Sequence, residues 1–309
     1  MTFRISSLFK TTVAVGTLLL AAGASAKEPN VHTGRAAVYK DLRSESLEAV
    51  STPAEIKGLL ASNVAPTRIW KVLEHGEKLE CLACVPVVSK LLYNSNAKTR
   101  EISAWWLRRR IFGVFGPGQV YEQTLKNLAD GTQPDSTRLY AANALGEFLS
   151  LSGVPALSKA VISDTSPRVR GAAVAGLERL NSAGQNGELT AALGDSDETV
   201  RLAALHASTR INVFADVEAV VALVSDSSSL VRRRAAEALG VMKASDSVAG
   251  LIALSSVEQE PEPAVRSAAI WALGQIGDSA ASDAILAAQS DSDGFVRNAA
   301  AVAGRMLRL

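Results

Sequence analysis

The sequence is short of the residues that do chemistry. Among 309 residues it has three histidines and two cysteines. The histidines, His32, His75 and His206, lie far apart. No Ser-His-Asp spacing, phosphate-cradling loop or pair of loop carboxylates stands near them, so no catalytic site is expected. Charge of one sign is also missing: 32 basic residues face 31 acidic ones. Arg4 and Lys10 belong to a leader described below, and without them the balance is 30 against 31. A general nucleic-acid binder needs a basic excess on one face, so nucleic acid is not an expected partner. After the first 26 residues no apolar run is long enough to span a bilayer. Aromatic residues make up 5% of the chain, while alanine is abundant, as close-packed helices require.

What is present is one sentence, repeated. Asp195 to Leu205 reads Asp-Ser-Asp-Glu-Thr-Val-Arg-Leu-Ala-Ala-Leu, and further copies begin at Asp164, Asp226, Glu260 and Asp291. Each carries a Val-Arg pair, at Arg170, Arg201, Arg232, Arg266 and Arg297, with steps of 31, 31, 34 and 31 residues. A fixed period in this range marks a solenoid. Within one copy, Ser166 can cap a helix and Pro167 suits its first position. Val169, Ala172, Ala173, Gly176, Leu177 and Leu180 then form one helical stripe. A shorter apolar stretch, such as Val217–Val224 or Val248–Leu254, precedes each such helix. The spacing predicts two helices per repeat, joined by an acidic turn. One repeat cannot bury its apolar face alone, but several in a row share a core. Each acid stands six residues before its arginine, and the constant offset predicts a structural ladder. Its rungs would bond within a repeat or to the next one.

These copies resemble HEAT repeats, specifically the short HEAT-like class named after phycobilisome lyases, from about Leu79 to the C-terminus. The resemblance implies an all-α solenoid of stacked helix pairs. It also implies that the second helix of each pair lines a concave groove. Two enzyme families share the repeat. Deoxyhypusine hydroxylases bind iron through His-Glu pairs, and no histidine here precedes a glutamate. Phycobilin lyases act on a cytosolic substrate, which an exported chain would not meet.

In chain order, residues 1–26 read as a secretory signal. Arg4 and Lys10 are its basic region, Val13–Ala22 its apolar region, and Ala24-Ser25-Ala26 its cleavage site. The mature protein is expected to start at Lys27, in the periplasm or outside the cell, with no membrane insertion once the signal is removed. Residues 27–51 form a polar arm. Residues 52–78 hold two cap helices, from Pro53 to about Leu60 and from Pro66 to His75, closed by Gly76. Residues 79–309 carry about seven repeats. The first of these is degenerate: Asn94 takes the acid's place before Arg100. Gly113, Gly116, Pro117 and Gly118 form a loop that lengthens the next step, to Arg138, to 38 residues. In the second repeat Thr132 stands where the acid belongs, and Asp135 is expected to replace it.

Two features stand out of the repeat. Cys81 and Cys84 sit on an expected helix from Leu79 to Leu92. In an oxidising compartment such a pair usually forms a disulfide. A redox or metal-linked role, oxidoreductase-like or as a helper in cofactor attachment, is the alternative. A haem site would need His at position 85, where valine stands. A closed zinc site needs four ligands, and His75 would be only a third. No cofactor is expected. The second feature is Trp105-Trp106 with Arg108-Arg109-Arg110. Trp106 falls on the core stripe; Trp105 falls off it, in register with Asn143, Ala175, His206, Glu237, Trp271 and Val302. If the groove of the family carries over, Trp105, Arg109, His206, Glu237 and Trp271 would face a protein or peptide partner. The other reading is that the tryptophans fill gaps between alanine-rich repeats. The cluster Arg232-Arg233-Arg234 reads as a solvated face on which only Arg233 is free. Together these readings predict an exported protein-interaction scaffold.

Overall fold

A computed structural model describes residues 51–309, apart from 62–63, 80, 112–117, 182–183 and 212–213. The expected leader and most of the polar arm lie outside the described residues. Among the described residues there are α-helices and short 3-10 turns and no strand. A cap pair, α1 (Pro53–Lys57) and α2 (Pro66–His75), precedes the first repeat, α3 (Val85–Leu91) and α4 (Ala97–Arg108). Six more pairs follow: α5 (Gln119–Ala129) with α6 (Asp135–Glu147), α7 (Val154–Ser163) with α8 (Pro167–Leu180), and α9 (Asn186–Leu193) with α10 (Glu198–Ser208). Then come α11 (Val217–Ala222) with α12 (Ser229–Met242), α13 (Val248–Ser255) with α14 (Pro263–Ile276), and α15 (Ser282–Ala288) with α16 (Gly294–Leu307).

Local chemistry sets the helix ends. Proline occupies the first turn of α1, α2, α8 and α14, where its missing N–H is not needed. Side chains of Asn96, Asp197, Ser228 and Asp293 accept first-turn N–H groups. Ser166 differs from its expected role. It precedes α8, but its hydroxyl reaches Asp135 at 3.4 Å instead of capping. The turn there is held by Asp164, whose Oδ1 accepts the Ser166 N–H at 2.8 Å.

The predicted stripe is the core. Val169, Ala173 and Leu177 of α8 are at most 1% exposed, as are Val231, Ala235 and Leu239 of α12. The first helices add Leu157, Leu189, Val220, Leu251 and Ile285, each 0% exposed. Small residues let several second helices touch through backbone. A Cβ on Gly146 of α6 would stand 2.9 Å from Gly176 Cα of α8. One on Gly240 of α12 would stand 2.8 Å from Ala272 Cα of α14, and one on Gly274 of α14 would stand 2.9 Å from Ala303 Cα of α16.

The acidic turns and arginines interlock in both directions. Arg170 donates through Nη1 to the Asp164 carbonyl of its own turn at 3.0 Å. Through Nε and Nη2 it grips Asp195 of the next repeat, at 2.6 and 2.7 Å. The same grip joins Arg138 to Asp164, Arg201 to Asp226, Arg232 to Glu260 and Arg266 to Asp291. Each acid also accepts the N–H two residues on, as Asp195 does from Asp197 at 2.8 Å. Burial would push the Asp164, Asp195 and Glu260 carboxyls up, but the arginine and backbone hydrogen bonds hold them below their ordinary range. Asp291 is lowered first by its hydrogen bond from Arg266. Such pairs owe much to desolvation: breaking one partner is costlier than the pair's net worth.

The degenerate repeats depart from expectation in two places. Asp135 does not replace the missing acid of the second repeat; Asp130 takes over only its turn-closing part, accepting the Thr132 N–H at 3.0 Å and its hydroxyl at 2.6 Å. The reason is reach. Asp135 already lies inside α6, where it faces Arg168 at 3.5 Å. Neither do the cysteines ride one long helix. Cys81 precedes a 3-10 turn, Leu82–Cys84, and the α-helix starts only at Val85, with Pro86 in its first turn. The tighter turn follows the i to i+3 hydrogen bond from Cys84 N–H to the Cys81 carbonyl, 3.0 Å. The structure joins the two sulfurs, 2.04 Å apart.

Candidate partner-binding face

Three clefts open between successive second helices. The first lies between α4, α6 and α8, with a volume of about 310 Å³, and Arg100, Tyr140, Asn143, Glu147 and Arg179 line it. The second, about 600 Å³, lies between α10 and α12, lined by Leu202, His206, Thr209, Leu230, Glu237 and Val241. The third, about 950 Å³, runs across α12, α14 and α16, with Glu237, Val241, Trp271, Phe295, Asn298 and Val302 on its walls. Glu237 and Val241 border both the second and third clefts.

Of the residues expected at a groove, His206, Glu237 and Trp271 share this run of clefts. His206 is exposed, with Nδ1 2.8 Å from Glu178, which also pairs with Arg210 at 2.9 Å. Glu237 is held by Arg234 at 2.6 Å and by Arg233 at 3.6 Å. Arg233, expected to be free, therefore leans on a carboxylate one turn away. Trp271 is half-buried, because its ring rests on Gly240, where a Cβ would come within 2.7 Å of it. Its register predicted the outward edge; the seat beneath it comes from the neighbouring helix.

Trp105 and Arg109 are not on the walls of these three clefts. Trp105 is half-buried against the core, and Arg109 pairs with Glu77 of the cap at 2.8 Å. Their neighbours are wholly structural. Trp106 is 0% exposed and donates its indole N–H to the Gly76 carbonyl at 2.9 Å. Arg110 stacks 3.6 Å over the Trp106 ring and donates to the carbonyls of Gly76, Glu77 and Leu79. The basic run thus clamps the cap to the first repeat.

The sequence reading missed Phe295, at 80% the most exposed large apolar side chain among the described residues. It stands two residues before Arg297, the arginine of the last Val-Arg pair. The equivalent positions hold Arg168, Thr199, Leu230 and Ala264, so an aromatic there is a signal that the frame contains. Phe295, Val241 at 59% exposure and Trp271 make the third cleft an apolar surface. Glu237, Glu262, Asp293 and Arg233 rim it. Asp293 is partly spent on the N-terminus of α16, accepting from Phe295 N–H at 2.8 Å. In the first cleft, burial raises the Glu147 carboxyl against the pull of Arg179, 2.6 Å away.

Cys84 is 0% exposed, while Cys81 is half-buried. Burial, then the charge of Lys71, lowers the pKa of His75. Among the described residues no three His, Cys, Asp or Glu side chains gather as a metal site, and no helix is long and apolar enough to cross a membrane.

The sequence pattern of HEAT repeats matches residues 122–209, 160–238 and 217–304. No curated protein matches the sequence. Among solved structures, YIBA_ECOLI superposes with a TM-score of 0.59 over 85% of this chain and 94% of its own, at 17% identity. Kap95p, solved with RanGDP, does so with a TM-score of 0.51 over 86% of this chain and 46% of its own, at 13% identity. The complex of CpcE and CpcF of phycocyanin lyase from Nostoc sp. PCC7120 aligns over 72% of this chain and 86% of that one, at 21% identity and a TM-score of 0.39. At such identities the likeness is one of fold.

Proposed function

The chain belongs to the HEAT-repeat proteins, and from that premise we propose that it is an exported scaffold that holds a partner protein or peptide along its second helices. A fold of this kind hosts many tasks, so the reading rests on the surface. The observation that carries it is the third cleft. Phe295, Val241 and the outer edge of Trp271 form one apolar area across three repeats, rimmed by charged residues. Contiguous exposed apolar area with an aromatic anchor is what a protein interface presents before its partner arrives. Kap95p, a protein of similar fold, binds RanGDP, which supports a binding role for such a stack. Export rests on the basic, apolar and Ala-x-Ala segments of residues 1–26.

The second reading is redox exchange at Cys81 and Cys84. It is favoured by a bridge between close neighbours whose Cys81 side is within reach of solvent. One experiment separates the two. A benzophenone amino acid is placed at position 295, or at Ile162, which is exposed on α7 and lines none of the three clefts. The scaffold reading expects a discrete cross-linked partner from position 295 only. The adduct should vanish with Trp271→Ala and persist in the double variant Cys81→Ser, Cys84→Ser. Adducts equal at both positions, or none, would sink it. Loss in the double-serine variant alone would favour the redox reading. The secreted form should begin at Lys27, and retention of residues 1–26 in a cytosolic protein would remove the export claim.

A further inference from the structure

Among the described residues five ladder arginines hold an acid and two do not. Arg138, Arg170, Arg201, Arg232 and Arg266 each present Nε and Nη2 to a carboxylate of the next repeat, between 2.6 and 3.0 Å. Arg100 stands at the same place in the first repeat and is pinned the same way. Its Nη1 donates to the carbonyls of Asn94 and Ser95, both at 2.8 Å. The next repeat offers Thr132 in place of an acid, and that hydroxyl is turned to Asp130. Among the described residues nothing accepts a hydrogen bond from Nε or Nη2 of Arg100. The guanidinium lies instead 4.1 Å over the Tyr140 ring. Stacking uses the face of the group and leaves the hydrogen-bonding edge available.

Arg297 is the other ladder arginine without an acid among the described residues. Its Nη1 is bonded to the Asp291 and Ser292 carbonyls, but it lines none of the three clefts. Arg100 does line one. The first cleft is walled by Ala97, Ala104, Ala144 and Ala175. Its other charges are already matched: Glu101 with Lys98 at 2.8 Å and Glu147 with Arg179 at 2.6 Å. Arg100 is the one charge of this lining without a counter-charge among the described residues.

We propose that the first cleft is a carboxylate-binding site, with the Nε–Nη2 edge of Arg100 taking the ligand's carboxylate as its sister arginines take Asp164 or Asp195. The ligand is a small carboxylic acid or the C-terminal end of a peptide, with its apolar part along the alanine walls. The guanidinium fork fits planar carboxylates in two parallel hydrogen bonds. A phosphate dianion fits less well, because Glu101 and Glu147 share the cleft. The volume, at the lower end for ligand pockets, suits a small acid or a chain end and not a large cofactor.

The test uses the mature full-length protein and three probes: N-acetyl-dialanine with a free carboxylate, its C-terminal amide, and sodium acetate. Binding is followed by amide and arginine Nε–H shifts in NMR titrations. The free acid should bind about tenfold or more tighter than the amide, the worth of a charge-assisted pair of hydrogen bonds. Arg100→Lys keeps the charge and can still reach the turn carbonyls, but it loses the fork, and the preference should disappear. Arg297→Gln removes the equivalent arginine away from the cleft, and the preference should remain. Competition by acetate at a similar concentration assigns the site to small acids; its failure beside a binding dipeptide assigns it to peptide ends. Equal affinity for acid and amide, no binding of either at millimolar concentration, a preference that survives Arg100→Lys, or one lost in Arg297→Gln, overturns the proposal.

Discussion

One methyl group separates two kinds of glycine in these helices. At Gly274 a Cβ would stand 2.8 Å from the Ala303 Cβ, inside the contact between α14 and α16. At Gly171, on α8, it would meet nothing within 4 Å. Gly274→Ala should therefore destabilise the protein by about 1–3 kcal/mol through overpacking. Gly171→Ala should stabilise it by roughly 0.5–1 kcal/mol, since alanine loses less backbone freedom. Urea denaturation of the two variants checks the sign, and a loss of stability in both would refute the distinction. The sequence shows both as glycine on a helix; only the neighbour's position tells them apart. Trp271 was legible because its register differs from the core stripe. Phe295 was not legible from that register, because it lies in the first turn at a position that holds Arg168, Thr199, Leu230 and Ala264 in the other repeats.

At the scale of helix and turn, the working unit is a rung: an acid, its turn and two arginines. The constant six-residue offset was legible because it recurs. What the offset left open was direction, within a repeat or across to the next. The arginine does both, Nη1 backward to its own turn and Nε–Nη2 forward. Side chains outside the repeated positions, such as Arg110 on Trp106, gave no periodic signal, since their partners lie in the cap. The rungs predict an acid dependence. A carboxyl whose folded pKa is depressed contributes stability that is complete above its unfolded value and is lost as pH falls through the folded one. The reference values are 3.8 for aspartate and 4.5 for glutamate. The urea midpoint should thus be flat from neutral pH down to about 5 and fall below about 4. At neutral pH, Arg266→Ala should cost about 3–5 kcal/mol, because it leaves Asp291 without its arginine at a nearly dry site. That variant should also lose less on acidification. Parallel decline of both proteins to pH 3 would show that the rungs are not the titrating element.

For the whole molecule, stability in a stack is a sum over repeats and the joints between them. The joint after the first repeat is unlike the five that follow. Among the described residues it has no carboxylate rung, and Arg108 stands where Gly146, Gly240 and Gly274 allow close approach at other joints. The cap and first repeat, residues 51–111, should open before the rest. Hydrogen exchange should show amides of α2 and α4 less protected than those of α8 and α14, with an early phase in urea unfolding. One coincident transition with uniform protection would contradict this. The periodic part of the fold was legible in the sequence. This weak joint was legible only as a missing acid and a longer step, and its meaning depended on seeing what the rungs do elsewhere. The interlock also makes the chain editable. Each repeat from the third to the sixth carries a handle, its turn acid, and a hand, its arginine, which takes the acid of the next repeat. Excising residues 195–225 would bring Asp226 to the place of Asp195, within the grasp of Arg170, and the shortened chain should close over the gap. Evolution can lengthen or shorten such a protein by whole phrases without rewriting the grammar.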